Sequence, residues 1–147
     1  MRRFSFRLEN ILKYRNHMEK KAQKDLLDAR NEYLERENEV EGLASKRIDS
    51  ITKCRNEAIR GVNVPIYKLY QVFLQKLDHD LEQAHMRLQK GKEKVEARAE
   101  ILKGESIKKR ALETLKDLQL RNFTKDMEQE EQKSMDEMIA IRKGGEK

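Results

Sequence analysis

The chain has 147 residues, the length of one folding unit, but 41% of them are charged, 5% are aromatic and none is tryptophan. That composition cannot fill a compact globule; it leaves helices in an elongated pair or disorder, and the periodic apolar residues, with only six glycines and one proline, decide for helices. The formal charge is +6, and no apolar run approaches the roughly 18 residues of a membrane-spanning helix.

The basic excess is concentrated. Residues 1–20 carry six basic and two acidic side chains, and residues 101–121 carry six and three, whereas residues 122–147 are net acidic with five and seven. The stretch 21–100 nearly cancels, with 16 basic and 15 acidic side chains.

Residues 1–8 are basic and lack the apolar core of a secretory signal. Phe4-Ser5-Phe6 is expected to open a first helix over residues 4–60, with Ser5 as its cap and Glu9 one residue late for a capping box. Its apolar residues then recur in steps of three and four through Leu8, Ile11, Met18, Ala22, Leu26, Ala29, Tyr33, Val40, Ala44, Ile48, Ile51, Cys54 and Ala58. This is the narrow seam of a coiled coil, and the charged block from Arg30 to Glu41 reads as its solvated surface. Cys54, the single cysteine, is expected to be a small seam residue of a cytosolic chain, since it has no internal disulfide partner.

Gly61-Val62-Asn63-Val64-Pro65 interrupts the pattern. Glycine suits the position after a helix, where positive φ carries no Cβ clash, and proline suits the first turn of the next helix. Asn63 is the candidate cap, and Val64, preceding proline, is biased away from helical backbone. A turn at 61–65 folds a second helix, residues 65–141, back on the first. That helix opens with the aromatic stretch Ile66 to Leu74, apolar on more than one face, and continues as Leu74, Leu81, Leu88, Val95 and Leu102 at every seventh residue, interleaved by Leu77, Ala84 and Gly91.

A turn at that point pairs residues whose numbers total about 124. Leu74 then meets Ile51, Leu77 meets Ile48, Leu81 meets Ala44, Gly91 meets Tyr33 and Leu112 meets Leu12. The fold class is therefore all-α: one antiparallel two-helix coiled-coil hairpin over residues 1–147, with a C-terminal helical overhang. The helices would measure roughly 85 and 115 Å at 1.5 Å per residue. Residues beyond 121 lack a partner, so Met127, Met135, Met138 and Ile141 are expected to be exposed, ahead of a frayed tail at 142–147.

Nothing in the pattern supplies chemistry. There is no phosphate loop, nucleophile elbow or paired-cysteine site, and His17, His79 and His85 lack the one-turn spacing of two ligands on a helix face. The carboxylates have no pocket to perturb them, so neither catalysis nor a cofactor or metal is expected. Basic residues interleaved with acids argue against nucleic acid as a partner.

Three segments carry a family resemblance. Phe4-Ser5-Phe6-Arg7-Leu8-Glu9-Asn10-Ile11-Leu12-Lys13-Tyr14-Arg15 resembles the opening of the bacterial flagellar export protein FliJ family. Tyr70 to Leu77 is similar to that family's stretch after the turn, and Glu131-Gln132-Lys133-Ser134-Met135-Asp136-Glu137 to its end. The resemblance implies a soluble, non-enzymatic component of the flagellar type III export apparatus, folded like the central stalk subunit of rotary ATPases. It implies three partners: the export ATPase ring, the cytoplasmic domain of the export gate, and export chaperones.

On this reading the rod is monomeric in isolation and cytoplasmic, peripheral to the inner face of the cell membrane at the flagellar base. Tyr67, Tyr70, Phe73 and Leu77 at the turn are the candidate contacts to the gate. Arg2, Arg3, Arg7, Lys108, Lys109 and Arg110 are the candidate contacts to the ATPase ring. The rival reading is a membrane- or nucleic-acid-associated adaptor that uses the basic terminus as an amphipathic surface.

Overall fold

Gly61, with a positive φ of +86°, ends the first helix, its N–H donating to the Ala58 carbonyl at 3.3 Å. The computed structural model describes residues 2–61 and 63–145. Val62 of the expected turn and residues 146–147 of the expected tail lie outside the described residues. Helix α1 spans Glu9–Arg60, 52 residues, and α2 spans Val64–Gly145, 82 residues. The Asn63 carbonyl accepts from the Tyr67 N–H at 3.0 Å, which makes Asn63 the capping residue of α2. Val64, expected to be extended, is instead the first helical residue, with Pro65 behind it in the first turn.

The two helices form an antiparallel hairpin, as partners across it show: Lys94 meets Glu32, and Lys116 meets Glu9. Contacts divide the chain into two units, one of residues Lys21–Lys103 and one of Met1–Lys20 with Gly104–Lys147.

In the first of these units the seam follows an unbroken four–three alternation. On α1 it passes Ala22, Leu26, Ala29, Tyr33, Arg36, Val40, Leu43, Arg47, Ser50 and Cys54, each buried or half-buried. On α2 it passes Tyr70, Leu74, Leu77, Leu81, Ala84, Leu88, Gly91 and Val95 in the same way. The expected stripe therefore needs correction, since Leu43, Arg47 and Ser50 hold the seam positions between Val40 and Cys54. Ile48 is 63% exposed and Ala58 is exposed, whereas Arg47 occupies the seam level assigned to Ile48. A strict heptad admits positions 43, 47 and 50 but not 48, and the long Arg47 stem can lie along the seam while its guanidinium reaches Asp78 at the edge. Ile11, in the other unit, is also half-exposed, one residue off the seam position Leu12.

In the second unit the helix begins later than expected. Residues 2–6 are not helical; residues 7–8 turn, and the Glu9 N–H donates to the Phe6 carbonyl at 3.1 Å. The reason is the spacing of the two phenylalanines. Extended backbone puts residues i and i+2 on one side, whereas a helix would set them about 200° apart. Here Phe6 is buried and Phe4 places its ring 5.6 Å from that of Phe123, tilted by 54°. Because non-helical residues can advance further per residue than helical ones, this arm reaches beyond residue 121 of α2, to Phe123. The overhang consequently starts later than expected: Phe123 and Met127 are half-buried, and residues 128–145 are exposed throughout. The helix continues to Gly145, four residues past the expected end at 141.

Candidate partner-binding surfaces

The opening turns of α2 carry a cluster of exposed apolar side chains. Val64, Ile66, Tyr67, Leu69, Val72 and Phe73 are all exposed, on several faces of one helix. A two-helix seam can cover only one of those faces. Phe73 precedes the seam residue Leu74 by one position, about 100° around the helix, and stays 47% exposed beside it. Tyr67 is likewise exposed. Tyr70 is different: it is half-buried at a seam position, and the Glu57 carboxylate beside its hydroxyl holds the phenol above its ordinary range. Leu77 departs from the expectation altogether. At 5% exposure it belongs to the seam and offers no surface to a partner.

The basic segments divide in the same manner. Arg2, Arg3, Arg7, Lys108 and Arg110 are exposed. Lys109 occupies a seam position and is spoken for within the chain: its ammonium lies 3.2 Å from Glu19 and 3.7 Å from Glu113. It is a structural cation and not a free one. Arg15 and Glu105 complete a four-residue charged section of the seam, with Arg15 Nη1 3.7 Å from Glu105 Oε2. That carboxylate oxygen is fully buried and accepts no hydrogen bond among the described residues. Apolar character does not mark Arg15, Glu19, Glu105 or Lys109 as seam residues; the heptad spacing alone identifies the positions.

Of the overhang residues, Met135, Met138 and Ile141 are exposed as expected. Met127 is half-buried and lines a shallow groove with Arg2, Phe123 and Asp126, so it is partly covered by the N-terminal arm.

Ion pairs lace the edges of the hairpin. Lys94 bonds Glu32 at 3.0 Å, and this contact holds the Glu32 carboxyl below its usual range. Partial burial pushes Glu39 upward, but the Arg36 and Arg87 guanidiniums outweigh it and leave that carboxyl lowered too. Among the described residues no group of three or more His, Cys, Asp or Glu side chains is placed to hold a metal ion, and no helix is long and apolar enough to cross a membrane.

The family model described as Flagellar FliJ protein matches residues 4–146, nearly the whole chain. No curated protein and no solved structure matches it.

Proposed function

The chain belongs to the flagellar FliJ family, and from that membership we propose that it is a non-enzymatic, stalk-like component that couples the export ATPase ring to the export gate and engages export chaperones. The single observation that carries this reading is the family match across residues 4–146, which makes the chain a flagellar export component. The finer assignment draws support from the surfaces. Phe73 and Tyr67 are exposed aromatics beside a closed seam, the arrangement of an interface anchor, and we assign them to the cytoplasmic domain of the gate. Arg2, Arg3, Arg7, Lys108 and Arg110 supply exposed positive charge for an acidic wall of the ATPase ring. The site of action is the cytoplasmic face of the membrane at the flagellar base, reached through these partners, with the chain itself a monomer before assembly.

Pull-down of the gate's cytoplasmic domain and of the ATPase by the full chain tests the assignment. Phe73→Ala should keep its melting temperature within a few degrees, retain the ATPase and lose the gate, because truncating a central anchor costs about 2 kcal/mol or more of binding. Loss of both partners together, with early melting, would make Phe73 a stability residue and remove the assignment.

A further inference from the structure

The two flanks of the seam in the unit of Met1–Lys20 and Gly104–Lys147 differ in kind. On one flank each residue precedes a seam position by one: Ile11, Tyr14 and Met18 on α1, with Leu115 and Leu118 on α2. In an antiparallel pair the flanks that precede the seam fall on the same side of both helices. These five side chains therefore line one groove between α1 and α2. Tyr14 is 54% and Leu118 53% exposed, and Ile11 is half-exposed.

The flank itself carries charge of one sign. Lys108 and Lys125 lie on it, and no acidic residue precedes a seam position by one between residues 9 and 20 or between 104 and 127. Lys108 also reaches back to the seam carboxylate of Glu105 at 3.7 Å, whereas Lys125 takes part in no ion pair among the described residues. The opposite flank is built otherwise. It carries Glu9, Glu113 and Asp117 among its cations, has Leu120 and Met127 as its large apolar residues on α2, and its Glu9 and Glu113 are already engaged by Lys116 and Lys109.

We infer that the groove lined by Ile11, Tyr14, Met18, Leu115 and Leu118 docks a third helix from a partner protein, an amphipathic one with acidic flanks. A line of exposed apolar side chains between two helices takes the apolar stripe of a third by ridges-into-grooves contact. The rim then selects the partner by charge: a basic-flanked helix would bring like charges together, whereas glutamate or aspartate flanks complement Lys108 and Lys125. A groove between two cylinders also accommodates a cylinder better than the plane of an anionic membrane. The inference is separate from the coupling role above, since it requires neither the ATPase nor the gate.

The test uses the full chain and two labelled synthetic helices with leucine at the seam positions, one with glutamate flanks and one with lysine flanks, read by fluorescence anisotropy. The acidic helix should bind at least tenfold more tightly than the basic one. Tyr14→Ala with Leu118→Ala should weaken it at least tenfold, and so should Lys108→Glu with Lys125→Glu, which leaves the apolar strip untouched. Leu120→Ala on the other flank should change nothing. Equal binding of the two helices, no binding of the acidic one, or indifference to both double variants overturns the inference. Capture of the chain by phosphatidylglycerol vesicles through Tyr14 and Leu118, with no helix bound, overturns it in favour of a membrane surface.

Discussion

Gly91 on α2 lies against Tyr33 on α1, so close that a Cβ on Gly91 would sit 3.6 Å from the Tyr33 ring and 3.8 Å from its Cα. Both distances are ordinary van der Waals contacts, so a methyl fits where a longer side chain would meet backbone. Gly91→Ala should stabilise the chain by about 0.5–1 kcal/mol, the usual gain for replacing glycine within a helix. Gly91→Leu should destabilise it by forcing the helices apart at Tyr33. Urea denaturation followed by helical circular dichroism measures both.

The charged section of the seam makes a less intuitive forecast. Arg15, Glu19, Glu105 and Lys109 pair crosswise in the native register, at 3.7 and 3.2 Å. Slipped by one heptad, Arg15 would face Lys116, or in the other direction Glu105 would face Leu12. Either slip strands charge within the seam, so the four residues act against misregister. Glu105→Ala should cost about 1–3 kcal/mol, less than a fully buried pair because Arg15 is part-exposed. Replacing all four by leucine should leave stability equal or raise it by about 1–4 kcal/mol while admitting additional registers. Thermal melts read the first effect and disulfide mapping the second.

Register itself can be read by cross-linking. With Cys54→Ala as background, Ser50→Cys with Leu74→Cys should form a disulfide on mild oxidation, because both positions lie on the seam and their numbers match the Gly91–Tyr33 pairing. Ile48→Cys with Leu74→Cys should not, since Ile48 faces solvent. Mobility on a non-reducing gel separates the two outcomes, and reversal of the pattern would return Ile48 to the seam.

Acid should loosen the hairpin in a defined direction. Glu32 and Glu39 both have carboxyls lowered below their usual range by Lys94, Arg36 and Arg87. A folded pKa below the unfolded one means the stabilisation is complete above the unfolded carboxylate value and is lost as pH falls through the folded one. Denaturation midpoints should therefore decline as the pH drops from about 5 to about 3. Lys94→Met and Arg87→Met should flatten that decline and leave the higher-pH slope unchanged; an unaltered profile would assign the acid sensitivity to other groups.

The sequence by itself determined the class of fold, the position of its turn and most of its register. Gly61, Asn63 and Pro65 act through local backbone preferences that hold whatever surrounds them, so the break was legible without coordinates. The same holds for Leu77, Ala84 and Gly91, whose heptad spacing sets one face of α2 toward a partner helix. What only the tertiary structure decided lies where polarity and position disagree. Apolar character placed Ile48 in the seam, but geometry gave that level to Arg47, because the helical repeat constrains angle and is indifferent to side-chain chemistry. Leu77 and Lys109 passed from candidate contacts to seam residues for the same reason. The non-helical arm at residues 2–6 was hidden as well, since it packs on the distant Phe123 ring and no local propensity reports a partner more than a hundred residues away.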